Sequence, residues 1–190
     1  AESILPWVKD IRHHLHRNPE LSFKEHKTKE YLKGMLKELK VSEVEEIADT
    51  GIATTIKGEK DGSCIALRAE MDALPITELN NTAYKSVNSG VMHACGHDVH
   101  MASLLGALKI LSNLQPELKG KILAVFQPGE EKLPGGANKI IKSGIFDKHN
   151  PKLILGQHVM RNMPIGTLGF RAGEYMASTD EIYITFKGDG

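Results

Sequence analysis

Three short segments concentrate side chains able to do chemistry: His93-Ala94-Cys95-Gly96-His97-Asp98, Gln127-Pro128-Gly129-Glu130-Glu131 and Gly156-Gln157-His158. Together they offer a thiol, imidazoles and two adjacent carboxylates at the ends of apolar runs. A divalent metal takes thiolate, neutral imidazole or carboxylate ligands, and hydrolysis there also needs a free base to accept a proton from water. Cys95-Gly96-His97 sets two ligand types two residues apart, and Gly96 lets the backbone turn so that both face one ion. In the Glu130-Glu131 pair one carboxylate can bind metal while its neighbour serves as base, because adjacent residues of a tight loop point to opposite sides. A solvated acidic turn is the plainer alternative. His158, directly after an apolar strand, is read as a further ligand. Asp98 and His100 are read as supports that hold the ligand imidazoles through their second ring nitrogen, with helix capping an equal role for Asp98. His13, His14, His16, His26 and His149 lack such partners in sequence and are assigned structural or surface roles.

Those side chains need elements to position them. Residues 4–17 read as an amphipathic helix stopped by Asn18-Pro19, and Ser22 followed by Glu25 has the capping-box spacing of a second helix reaching about Leu39. Residues 52–57, a Lys60-Asp61-Gly62 turn and residues 64–67 read as a hairpin feeding a buried strand. Residues 80–90 form a polar loop. Apolar spacing predicts a helix over 101–114, a buried strand over 122–126, a helix over 137–145 and another buried strand over 153–155. This alternation argues for an α/β fold with a mostly parallel sheet, helices on both faces, and ligands outside the carboxyl ends of the strands. Asp72, a further support, follows the strand ending near Arg68. Glu130 and Glu131 follow the strand ending at Phe126, and His158 the strand ending at Leu155, so three strands aim their polar residues at one rim.

At 190 residues, 41% hydrophobic and 5% aromatic, the chain can build one good core. Its 24 basic residues balance 24 acidic ones, which argues against nucleic-acid or acidic-membrane partners and for a small-molecule substrate. The longest apolar runs fall well short of the roughly 20 residues that span a bilayer. A lone disulfide between Cys64 and Cys95 is not expected, and the absence of a signal pattern at Ala1-Glu2-Ser3 makes the cytoplasm the expected compartment. Residues 181–187 alternate polar with apolar like a strand that lacks a partner. Residues 1–177 are therefore expected to form the N-terminal part of a catalytic domain, with 178–190 a linker and the first strand of a second one.

The segments Arg68-Ala69-Glu70-Met71-Asp72-Ala73-Leu74-Pro75-Ile76, His93-Ala94-Cys95-Gly96-His97-Asp98, Phe126-Gln127-Pro128-Gly129-Glu130-Glu131 and Gly156-Gln157-His158 closely resemble the amidohydrolase branch of the aminoacylase/carboxypeptidase metallopeptidases. The resemblance runs from Asn18-Pro19-Glu20-Leu21 to Phe186-Lys187-Gly188. It implies a zinc-peptidase-like catalytic domain holding two divalent metals, zinc or manganese, on Cys95, His97, Glu131 and His158, with Glu130 as the base that activates water. It implies cleavage of an N-acyl amino acid, and a smaller α+β lid domain through which two copies pair as a homodimer. Position 70 is Glu where the family more often has Asp. The chain is expected to stop where the lid begins, lacking the returning half of the catalytic domain and its last metal-binding His. Two other classes stay open: Cys95 as a nucleophile with a histidine base, and a non-enzymatic fragment whose metal is structural.

Overall fold

Apolar residues at helical spacing bury one face of α1 (Leu5–Arg17) through Ile11 and Leu15. The helix ends where Asn18 caps it, its side-chain amide donating to the His14 carbonyl at 2.8 Å, and Pro19 has no N–H with which to continue. The computed structural model describes residues 2–41, 44–176, 182 and 184–188. The remaining elements are α2 (His26–Glu38), β1 (Val44–Ile47), β2 (Gly51–Lys57), β3 (Lys60–Glu70), α3 (His97–Asn113), β4 (Lys119–Gln127), α4 (Gly136–Lys142), α5 (Ile145–His149) and β5 (Pro151–Gly156).

The strands form one five-stranded sheet in the order β1-β2-β4-β3-β5. β4 is its centre, and alternation along it builds both cores. Ile122, Ala124 and Phe126 face a cluster with α1, α2 and α3 residues such as Leu15, Leu32, Leu36 and Leu105. Leu123 and Val125 face a second cluster with Ile140 of α4 and Ile145 of α5. Helices therefore cover both faces, as expected. The pairings are mixed: β3 runs parallel to β4 and β5, while β2 is antiparallel to β1 and β4.

Three local expectations are corrected. Residues 52–67 are no hairpin, because β4 inserts between β2 and β3, and the actual hairpin is β1–β2. Glycines make the insertion feasible: a Cβ on Gly58 would collide with the Leu118 carbonyl, and one on Gly120 (φ +80°) with the Ser63 carbonyl. Ser22 and Glu25 form no capping box. The Glu20 carboxylate caps α2 instead, accepting from the Lys27 amide at 3.2 Å, the Thr28 amide at 2.7 Å and the Thr28 hydroxyl at 2.9 Å. Nor is β5 buried. It is an edge strand paired only with β3, its Leu153, Ile154 and Leu155 are about half exposed, and none of them joins either core cluster among the described residues.

The chain divides into two compact units, Ala1–Val159 and Met160–Gly190. All the elements above lie in the first. Among the described residues the second contains turns, such as Thr167 N–H to the Pro164 carbonyl at 3.2 Å, with exposed Ile165, Leu168 and Phe170. The boundary expected at 177/178 falls outside the described residues, as do residues 181 and 183 of the strand expected over 181–187. Among the described residues no helix is long and apolar enough to cross a membrane.

α1 is fastened to α3 by a buried polar cluster. Asp98 Oδ2 accepts from Arg12 Nε and His16 Nδ1, both at 2.8 Å, and His16 Nε2 lies 3.1 Å from Glu78 Oε1. The hydrogen bond to Asp98 raises the pKa of His16 against the opposing effect of burial. Burial would raise that of Asp98, but His16 and Arg12 hold it low. His16 thus stabilises the fold fully below its unfolded value of 6.5, and that contribution fades as pH rises through its higher folded value. The Asp98 contribution is present above 3.8 and fades as pH falls through the lower folded value. His16→Gln is expected to lose about 1–3 kcal/mol near pH 5 and distinctly less at pH 9. Melting curves at both pH values test this, and an equal loss at both would contradict it.

Candidate metal centre

Strand register brings the chemistry together. Glu70 and Gln127 are paired at the ends of β3 and β4, and Arg68 with Gly156 on β5, so the three carboxyl ends open on one rim. Asp72, Glu130, Glu131 and His158 lie within four residues of those ends. α3 starts at His97 because Gly96 adopts φ +90°, and a Cβ there would collide with Val159. The turn expected at Gly96 is therefore present, and it needs glycine both for its dihedral and for space.

Cys95 Sγ lies 3.3 Å from His158 Nε2, and the ligand atoms of Cys95, His97 and His158 all fall within 4.8 Å of one another. His97 Nε2 lies 3.8 Å from Glu130 Oε2 and 3.8 Å from Glu131 Oε1. Both imidazoles are oriented through their other nitrogen: His97 Nδ1 donates to the Asp72 carbonyl at 2.8 Å, and His158 Nδ1 to the Val159 carbonyl at 2.8 Å. This leaves each Nε2 facing the cluster, as in ligand histidines held by a carbonyl behind them.

Charge runs strongly in one direction here. Asp72 is buried, which alone would raise its pKa, but the neighbouring His97 and hydrogen bonds from Ser22 and the Glu131 amide hold it at about 2. Burial would likewise lower that of His97, yet Asp72, Cys95 and Glu70 lift it to about 11. Burial and the neighbouring Glu131 raise that of Glu130. Two carboxylate oxygens, Asp72 Oδ1 and Glu131 Oε1, are buried without a hydrogen-bond partner among the described residues. Anionic oxygens beside a thiol and two oriented imidazoles are side chains of the types a divalent cation takes.

Asp72 lies beside the cluster, and its Oδ2 also accepts the Glu131 amide at 2.9 Å. His100 supports it through the backbone: Nδ1 donates to Glu70 Oε2 at 2.8 Å, Nε2 accepts the Val159 amide at 3.0 Å, and its ring meets that of His158 at 4.8 Å. The second Glu70 oxygen takes Arg68 Nη1 at 2.5 Å, so Glu70 is occupied on both oxygens. Asp98 is a correction. Its carboxylate goes to Arg12 and His16 rather than to a ligand imidazole, and Gly96, not Asp98, is the N-cap of α3. Among the five histidines set aside, His13 and His14 stack on Tyr84 and Tyr31. Cys64 and Cys95 are both free. His93 is buried, neither of its ring nitrogens is hydrogen-bonded among the described residues, and burial lowers its pKa to about 4.

Sequence reasoning missed Ser22 and Glu25 as part of the centre. Ser22 Oγ donates to Asp72 Oδ2 at 2.7 Å, and Glu25 Oε1 accepts the Gly129 amide at 2.8 Å. Their spacing was visible, but it matched a capping box equally well.

Because His100 holds the Val159 amide and packs its ring on that of His158, His100→Phe is expected to weaken zinc affinity about 10–100-fold while leaving Cys95, His97, Glu131 and His158 in place. A zinc titration against a competing chelator measures it, and unchanged affinity would remove His100 from the centre.

A family model described as peptidase family M20/M25/M40 matches residues 66–187. The N-acetylcysteine deacetylase of Bacillus subtilis (strain 168) is 40% identical over 183 residues, covering 95% of this chain and 47% of the relative. The N-acyl-L-amino acid amidohydrolase of Geobacillus stearothermophilus is 40% identical over 179 residues, covering 94% and 48%. The chain thus spans about half the length of the curated relatives it matches. A solved Bacillus subtilis dinuclear metal binding peptidase from the M20 family aligns with a TM-score of 0.84 and 38% identity, covering 90% of this chain and 47% of that one. With more than half of its length matched by the family model, the chain belongs to peptidase family M20/M25/M40.

Proposed function

We propose that this chain carries the metal-binding half-site of an amidohydrolase that cleaves an N-acyl amino acid into a carboxylic acid and a free amino acid. The observation that supports the reading is the pair of buried oxygens with no hydrogen bond among the described residues, Asp72 Oδ1 and Glu131 Oε1, around His97 and near Cys95 and His158. Relatives named N-acetylcysteine deacetylase and N-acyl-L-amino acid amidohydrolase support the substrate class. Cys95, His97, Glu131 and His158 would hold two divalent ions, which when bound polarise the scissile carbonyl and acidify the attacking water.

Glu130 then takes the water proton and delivers it to the leaving amine, so one carboxylate serves both proton transfers. Burial and the adjacent Glu131 raise its proton affinity, which suits a base that must later act as an acid. Its side chain is 41% exposed while that of Glu131 is 19% exposed, in keeping with Glu130 reaching the substrate and Glu131 the ions. Thiolate and imidazole ligands favour zinc, and carboxylates admit manganese. The two unpaired cysteines agree with a reducing, cytoplasmic compartment.

The contact of 3.3 Å between Cys95 Sγ and His158 Nε2 favours one competing reading, a thiol nucleophile with a histidine base. Treating the complete gene product with a chelator separates the two. Amidase activity toward acetyl- and benzoyl-amino acids should vanish and return with zinc or manganese. Activity that survives chelation but not thiol alkylation would establish the nucleophile instead.

A further inference from the structure

Glu25 is completely buried, and among the described residues no Lys, Arg or His is paired with it. Its Oε2 accepts the Thr50 hydroxyl at 2.5 Å and its Oε1 the Gly129 amide at 2.8 Å. A buried carboxylate is costly, and here one of its two bonds goes to the residue immediately before Glu130. Two more contacts come from the same short stretch. Phe23 adopts φ +62°, a left-handed conformation unfavourable for a bulky residue, and its ring lies where a Cβ on Gly129 would be. Ser22 Oγ donates at 2.7 Å to Asp72 Oδ2, the oxygen that also accepts the Glu131 amide. The stretch is itself anchored to the chain after β3, where the Ala73 amide donates to the Glu20 carbonyl at 2.8 Å.

We propose that residues 20–25 form a clamp that sets the 128–131 turn, with Glu25 as a positioning residue that places Glu130. The inference rests on Glu130 being the base. The clamp grips the turn on both sides of that residue: at the Gly129 amide through Glu25, at the Gly129 backbone face through Phe23, and at the Glu131 amide through Asp72 and Ser22. Glu130 is left as the one side chain of the turn free to meet a substrate. A displacement of about 1 Å at a reacting group costs on the order of 100-fold in rate, so loss of the Glu25 bond should act on turnover rather than on substrate binding.

The test compares Glu25→Ala, Glu25→Gln and Glu25→Asp in the complete gene product, assayed at saturating metal, with hydrogen exchange of the Gly129 amide as a second readout. Glu25→Ala should lower kcat about 10–100-fold with KM within about 3-fold, and speed Gly129 exchange at least about 10-fold. Glu25→Gln keeps a carbonyl oxygen for the amide and should stay within about 3-fold of wild type on both measures. Glu25→Asp is one methylene short of Gly129 and should behave like Glu25→Ala, so it replaces that variant if the alanine protein does not fold. Wild-type kcat or wild-type exchange in both shortened variants would overturn the proposal, as would equal damage in Glu25→Gln. If the wild-type protein hydrolyses no N-acyl amino acid, it is the proposed function that fails, and Gly129 exchange in the shortened variants decides the clamp on its own.

Discussion

Glu130→Gln in the complete gene product should abolish turnover of N-acyl amino acids, about 1,000-fold or more, while bound metal stays near the wild-type amount. The amide is isosteric with the carboxylate and cannot accept the water proton. At 41% side-chain exposure the substitution leaves no buried group stranded, so folding should be unaffected. Glu131→Gln should do the reverse. Its Oε1 is buried, lies 3.8 Å from His97 Nε2 and has no hydrogen-bond partner among the described residues, so removing its charge should chiefly lower metal occupancy. Metal analysis beside steady-state kinetics for the two variants separates the roles. Residual turnover near wild type in Glu130→Gln would move the base elsewhere, and full metal content in Glu131→Gln would remove that residue from the ligands.

Asp72 carries the second large effect, because three parts of the centre meet on it. Its carbonyl orients His97, and its Oδ2 accepts both the Ser22 hydroxyl and the Glu131 amide. Asp72→Asn keeps an oxygen for the two donors but removes the charge that makes His97 basic, and metal affinity should fall about 10–100-fold. Asp72→Ala also strands two donors in a buried site and should destabilise the fold by about 2–5 kcal/mol. With metal removed, the low pKa of Asp72 implies stability that is present above 3.8 and lost as pH falls towards about 2. Acid titration of the two proteins should show that part of the transition missing in Asp72→Asn. An acid transition identical to wild type would mean that Asp72 carries no such linkage.

Much of the α/β framework was legible because its signals are local. The helical spacing behind α1 and α3 and the apolar run of β4 each reflect burial of one or two faces, which a single segment encodes. The rim was legible for the same reason, since polar residues that follow apolar strands must collect at the strands' carboxyl ends. What alternates in sequence, however, does not say which strand is its neighbour. Residues 52–67 looked like a hairpin until β4 took the place between them, a choice made by close glycine contacts between segments some 60 residues apart in sequence.

The chain itself determined which residue types gather at the centre: Cys95, His97, Glu130, Glu131 and His158 stand in motifs whose chemistry is visible without coordinates. Only the tertiary structure decided what holds them. Ser22 and Glu25 carry the spacing of a helix cap, yet their hydrogen bonds run to Asp72 and Gly129, while Glu20 does the capping. Asp98 stands one residue from His97, yet its carboxylate is taken by Arg12 and His16 of another helix. A short polar side chain bonds to whichever donor packing brings within about 3 Å, and several local and distant partners satisfy it equally well until the fold chooses.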